Sequence, residues 1–321
     1  IERGECDFVR EFTTPLPVYV IADQLGVPRK DLKNFKEWSD SFARRLSQMA
    51  TPQQQVEDAE NIVAFQLYFA AMCEQRRKEP SDDMISDLVV TEIEDPDTGE
   101  VRLLNMEELQ SLLQQLLVAG NETTTSALTG GMVSLIRNPG QLKELQQHPE
   151  KIANAVEEIL RMESPSAGMW RVVKKDSVIH GVSIPKDSLL MLRYHAANRD
   201  RALFTHPNEL DIDRGNAEEH IAFGQGVHFC PGAMLARKEM TVALHALLAR
   251  LENFQLIEEK SDLDYWPNIV LRGAGIGKTI RDFPKTLEDV KSNMGATTGG
   301  KPTSNYSWSG GFLWVKGYTR H

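Results

Sequence analysis

The pattern of apolar and polar positions changes character several times along the chain. Residues 1–30 are mixed and punctuated by Pro15, Pro17 and Pro28, and residues 30–78 are polar-rich with a helical pattern. Asp95-Pro96-Asp97-Thr98-Gly99 predicts a turn between two short extended pieces within 92–104. Leu109, Leu112, Leu113, Leu116, Leu117 and Gly120 then recur at the spacing of one helical face. That stripe continues through Leu128, Met132 and Leu135 until Pro139 closes it, which predicts a long central helix. A further helix runs from about Pro149, a residue suited to a first turn, to Glu163.

Residues 164–195 switch period. Val172-Val173, Val178-Ile179, 182–184 and 189–192 predict short strands separated by turns. Residues 198–228 are largely irregular. A last helix is expected from Pro231 to about Leu251, burying Ala236, Met240, Ala243, Leu244, Leu247, Leu248 and Leu251. Beyond Gly273 the pattern fades, and the Gly-, Ser-, Thr- and Asn-rich stretch 291–311 reads as flexible. No internal repeat is visible. The expectation is a mainly α fold with a small β portion, a domain over 1–273 and a flexible tail over 274–321.

Composition narrows the classes. A chain of 321 residues with 41% hydrophobic content can bury a large core. A formal net charge of -10 opposes broad binding to nucleic acid or to an anionic membrane. No run approaches the ~20 apolar residues that span a bilayer. The first residues, Ile1 to Cys6, hold neither an initiator Met nor an apolar signal core, so the chain is read as a fragment or a processed form. Cys6, Cys73 and Cys230 lie too far apart for a disulfide framework or a CxxC zinc site, which points to a reducing cytoplasm.

The strongest chemical signal is Phe223-Gly224-Gln225-Gly226-Val227-His228-Phe229-Cys230-Pro231-Gly232. Its glycines permit backbone conformations and close approaches that a side chain would block. Cys230 precedes the expected helix start at Pro231, where free N–H groups and the positive end of the helix dipole favour a metal-binding thiolate. Most lone cysteines are buried structural residues. This spacing of Phe, three Gly, His and Cys arises by chance at roughly one start in 10⁸ or fewer, which reverses that expectation.

The segment resembles the cysteine-loop signature of the cytochromes P-450. The resemblance implies the cytochrome P-450 fold, incomplete at the N-terminus, with haem b (iron protoporphyrin IX) as cofactor and Cys230 as the iron ligand. It also implies that Phe223 packs beside the sulfur, that His228 and Arg171 bind haem propionates, and that Gly224, Gly232 and Ala119 border the haem. Covered are roughly residues 5–273; upstream helices, part of a small sheet and a pocket loop would be missing, and 274–321 does not continue as the family does.

Two further motifs agree. Ala119-Gly120-Asn121-Glu122-Thr123 lies in the long helix, where Gly and Thr weaken the helical hydrogen bonding and an adjacent acid and hydroxyl can relay protons. A surface Glu-Thr pair is the plain alternative, but the placement next to the apolar face predicts burial. The pair is similar to the family's acid–alcohol pair, which implies proton delivery to O₂ by Glu122 and Thr123. Glu158 and Arg161, at i and i+3, match the family's E-x-x-R pair and are structural, with Arg214 as their expected partner.

Ala167–Met169 are expected to face the substrate. Gly273 to Thr279 imitates a phosphate loop, but Arg272 stands where that motif needs glycine. The expected function is haem-thiolate monooxygenation of a small or medium apolar substrate, with O₂ and two electrons from a ferredoxin-type donor docking near Arg237 and Lys238. The rivals are a haem-binding protein or remnant without turnover, and a helical protein without haem in which Cys230 is merely buried.

Overall fold

The computed structural model describes residues 5–47, 50–95, 97–261, 263, 270–273 and, as backbone, 314–319. The first helix, α1 (Pro15–Gln24), lies in the stretch that the prolines made look irregular. Pro15 and Pro17 both fall in its first turn, where no intrahelical N–H is needed, so they start the helix rather than break it. A π-helical turn, Val9–Thr13, leads into it.

The polar-rich stretch resolves into α2 (Leu32–Ser47) and α3 (Pro52–Lys78). Thr51 caps α3 through a reciprocal capping box with Gln54. The short α4 (Met84–Val89) follows, capped by Asp83. Strands β2 (Glu92–Glu94) and β3 (Val101–Leu103) form the expected hairpin, with Ile93 opposite Arg102. Strand β1 (Glu5–Asp7) precedes all of these.

The central helix α5 (Met106–Arg137) begins at a capping box of Asn105 and Glu108. Leu109, Leu113 and Leu117 are fully buried, whereas Leu112 is exposed and Leu116 only partly covered. The expected single face is therefore two faces, one packed on α1–α4 and one turned outward. Two apolar cores result. The first half of α5 belongs to the core of α1–α4; the second half joins α6 (Pro139–Gln147), α7 (Ile152–Glu163) and α9 (Ala233–Arg250). Helices α5 and α7 cross closely: a Cβ on Gly131 would stand 2.6 Å from Ile159 Cγ2, and one on Gly130 clashes with the Glu163 carboxylate.

The β region contains β4 (Met169–Val172), β5 (Ser177–Ile179), β6 (Val182–Ile184) and β7 (Leu189–Leu192). They pair as two antiparallel ribbons, β4 with β7 and β5 with β6. The short α8 (Tyr194–Ala197) follows. After α9 come β8 (Leu251–Leu256) and β9 (Trp314–Thr319); β9 runs between β1 and β8, with Cys6 opposite Val315 and Gln255 opposite Lys316. β9 is thus a paired strand inside the segment expected to be a tail. The Gly-Ser-Thr-rich stretch 291–311 and the phosphate-loop imitation lie outside the described residues.

Candidate functional site

The cysteine loop is built by two glycines with left-handed backbone, Gly224 at φ 71° and Gly226 at φ 75°. They fold the segment back so that the Cys230 N–H donates to Phe223 O at 3.0 Å. Helix α9 begins at Ala233 with Gly232 as its cap, two residues later than expected. Cys230 therefore sits ahead of the cap, and its carbonyl accepts from Ala233 N at 3.2 Å.

The sulfur is half-buried and free of any disulfide. The Phe223 ring lies 6.3 Å from that of Phe229 and 5.8 Å from that of His220. His228 is exposed, and the Arg171 guanidinium donates to Trp170 O on its own strand. Ala167 is buried, and its N–H donates to Val270 O at 2.7 Å. Met169, which follows it, is exposed.

The acid–alcohol pair occupies the unbroken middle of α5. Glu122 is buried, at 8% exposure, although the helix is polar here. Its carboxylate meets Lys36 Nζ of α2 at 3.4 Å, and Lys36 also pairs with Asp40 one turn on. Burial works against the Lys36 charge, yet the two carboxylates outweigh it and lift its pKa above the usual lysine range. Burial pushes Asp40 up to about 6 against the pull of Lys36, with Glu122 adding repulsion. Asn121 next to Glu122 donates to Ser39 Oγ at 3.0 Å, a second tie from α5 to α2. Thr123 is less enclosed, and its hydroxyl donates back to Ala119 O at 2.8 Å. Ala119 is exposed on the same outward face.

The E-x-x-R pair is fully buried. Arg161 grips Glu158 at 2.7 and 2.8 Å, and Arg214 adds a bond at 3.0 Å. The remaining guanidinium hydrogens reach the carbonyls of Asn198, Pro207 and Thr205 at 2.6–2.8 Å. This network staples the irregular segment 198–214 to α7, directly upstream of the cysteine loop.

Three residues escaped the sequence reading. Lys36 and Asp40 showed an i, i+4 spacing but gave no sign of Glu122, 86 positions away. Glu157 is the third. Arg237 binds it through Nε and Nη2, at 2.7 and 2.9 Å, and its guanidinium lies over the Phe223 ring, so this arginine, expected to take part in docking, also has internal partners.

The donor set fits a haem. Among the described residues no cluster of three His, Cys, Asp or Glu could hold a metal ion, and a lone cysteine thiolate suits an iron whose other positions are filled by a macrocycle. Space for a flat macrocycle exists in the backbone: a Cβ on Gly226 would meet nothing within 4 Å, and one on Gly232 would meet only Cys230 Sγ at 3.8 Å. Val227, Phe229 and Met234 add exposed apolar surface around the sulfur. An open groove of about 640 Å³ along the outer face of α3 contains none of these residues.

Comparisons with known proteins agree with this geometry. The sequence profile described as "Cytochrome P450" matches residues 30–273. The chain is 39% identical over 264 residues to the "Putative cytochrome P450 YjiB" of Bacillus subtilis, covering 79% of this chain and 63% of that protein. It is 36% identical over 266 residues to the "Steroid C26-monooxygenase" of Mycobacterium tuberculosis, covering 83% of this chain and 70% of the relative. The solved cytochrome P450 CYP109Q5 from Chondromyces apiculatus superposes with a TM-score of 0.77 at 30% identity, over 99% of this chain and 67% of that one.

The chain thus spans less than two thirds of the length of the first of these relatives. Among the described residues no helix is long and apolar enough to cross a membrane. With the cysteine loop, the buried Glu158–Arg161–Arg214 network and the matched profile in agreement, the chain belongs to the cytochrome P450 family, which is haem-dependent.

Proposed function

We propose that the chain is the haem domain of a thiolate-ligated monooxygenase that hydroxylates a small or medium apolar substrate, using O₂ and two electrons from a ferredoxin-type donor. One observation carries the reading: a half-buried Cys230 presented on a loop of left-handed glycines, together with a buried acid beside a hydroxyl on the central helix. Bound haem would supply dioxygen activation, with electron push from an axial thiolate.

The chain's own residues do the rest. Cys230 would ligate the iron, and Phe223 would pack beside its sulfur. Gly224, Gly232 and Ala119 would border the macrocycle, and Arg171 and His228 would pair with its propionates, for which the planar fork of arginine is suited. Glu122 would hold a proton at its carboxylate, and Thr123 would pass it on through its hydroxyl. Lys36, 3.4 Å away, is the cation nearest that carboxylate among the described residues. Three free cysteines accord with a cytoplasmic location.

The substrate class follows from relatives and surface. The Mycobacterium relative is named for a steroid, and the "Vitamin D(3) 25-hydroxylase" of Pseudonocardia autotrophica is 36% identical over 273 residues. Met169, Trp170 and Leu192, on paired strands, are large, apolar and exposed. A rigid polycyclic or long-chain hydrocarbon matches both. Residues 1–273 would form this domain, with 314–319 of the segment that follows adding the middle strand of one of its sheets.

The test is the spectrum of the reduced carbon monoxide complex after expression with a haem precursor. A strongly red-shifted Soret band that Cys230→Ala abolishes is the expected result. No haem uptake, or a band unaffected by Cys230→Ala, overturns the reading.

A further inference from the structure

The cysteine loop has little packing of its own. Gln225, Gly226, Val227 and His228 are exposed, and Val227 reaches 97%. Its two left-handed glycines shape it without filling any space around it. What anchors it is Phe223 at its start, whose carbonyl accepts the Cys230 N–H at 3.0 Å. The question is therefore what anchors Phe223.

The answer lies on α9 and α7. The Arg237 guanidinium is 4.6 Å from the centroid of the Phe223 ring, within cation–π range. Its Nε and Nη2 donate to the two oxygens of Glu157, at 2.7 and 2.9 Å, which fixes the plane of the guanidinium. His220 lies on the other side of Glu157, with Nε2 3.3 Å from Oε2. Nδ1 of that imidazole accepts the Ala222 N–H at 3.2 Å, so the ring proton sits on Nε2, facing the carboxylate. Burial works against the Glu157 charge, but His220 and Arg237 outweigh it and hold its pKa at about 2. The brace is therefore ionic across the pH range of any assay. Glu157 also adjoins Glu158, so the brace rests on the same helix turn as the buried arginine network.

We propose that Arg237, oriented by Glu157 and His220, is a positioning residue: it clamps the Phe223 ring and, through the Phe223–Cys230 hydrogen bond, sets the place of the Cys230 sulfur. A docking cation for an electron donor needs only a charge. This role needs a planar fork that bonds two oxygens while stacking on a ring, which lysine cannot reproduce. Lys238, the exposed neighbour, remains free to serve a partner.

The haem assignment is needed only for the spectral part of the test. Amide hydrogen exchange, followed by mass spectrometry on the full chain, reads the loop directly with or without haem. Arg237→Ala should speed exchange in the peptide containing residues 223–230 by about tenfold, with exchange in the middle of α5 unchanged. Arg237→Lys should resemble Arg237→Ala, and Glu157→Gln should give a smaller change of the same sign.

In protein loaded with haem, Arg237→Ala should also move part of the reduced carbon monoxide band to the unshifted position of a neutral ligand. Exchange within twofold of the parent in Arg237→Ala, equal acceleration throughout the chain, or full rescue by Arg237→Lys would each overturn the proposal. A parent protein with no red-shifted band would instead sink the monooxygenase reading, and the exchange comparison would still decide the clamp.

Discussion

Lys36 of α2 stands 3.4 Å from Glu122 of α5, an ion pair that ties the acid of the acid–alcohol pair to a helix 86 residues earlier. Lys36 also serves Asp40, so one cation neutralises two carboxylates. Replacing it by methionine removes the counter-charge that Glu122 and Asp40 share, leaving Asp40 only the weaker pull of Arg44. We expect Lys36→Met to cost about 2–3 kcal/mol at pH 7.5, somewhat less than a fully buried pair because the lysine is partly exposed. The Asp40 pKa of about 6 lies above its unfolded value of 3.8, so its proton is taken up by the folded chain as pH falls. The penalty should therefore shrink at pH 4.5. Urea denaturation of both proteins at the two pH values measures this, and an equal penalty at both would exclude the shared-cation arrangement.

Among the described residues the Thr123 hydroxyl bonds only Ala119 O of its own helix, so no hydrogen bond between elements depends on it. Thr123→Ala should leave the melting temperature within a few degrees. If the hydroxyl passes protons to dioxygen, the ratio of product formed to O₂ consumed should fall several-fold. Unchanged coupling in an active preparation would remove Thr123 from proton delivery.

Glu158 holds two arginines that are 0% and 6% exposed at their side chains. Its removal leaves two buried positive charges facing carbonyls alone. Glu158→Ala should cost about 3–5 kcal/mol, a large part of a domain's stability, and soluble yield should collapse. Glu150→Ala, at an exposed position, is the matched control. Equal soluble yields for the two would contradict the staple.

Glu239 is 7% exposed, and among the described residues its Oε2 has no hydrogen-bond partner. Burial pushes its pKa from 4.5 up to about 7. The folded chain then binds a proton that the unfolded chain has released, so stability falls as pH rises from 4.5 through 7. Glu239→Gln removes that loss and should gain about 2–3 kcal/mol at pH 8 with little gain at pH 4.5. Thermal melts at the two pH values decide it; a gain independent of pH would place the effect elsewhere.

Much of the secondary structure was legible because it is local. The α5 stripe, the four short strands of 169–192 and the hairpin of 92–103 each depend on neighbouring side chains and turn chemistry. Helix α1 was missed because proline is ambiguous without knowledge of where a helix starts; at a first turn it costs nothing. The faces of α5 were misjudged for a related reason. Leu112 and Leu113 carry the same hydrophobic signal, and only the position of α1–α4 decides which one is covered.

The sequence by itself determined the candidate site: Cys230 between its glycines, Glu122 beside Thr123, and the structural pair Glu158 and Arg161, all at short spacings that a linear pattern preserves. Only the tertiary structure decided their partners. Lys36 meets Glu122, and Arg237 reaches Glu157 and Phe223; only for Glu158 had the linear pattern also named the partner, Arg214. A charged side chain reads the same in sequence whether it faces water or a buried counter-ion. Desolvation, which makes the second case matter, is set by the packing of helices distant along the chain.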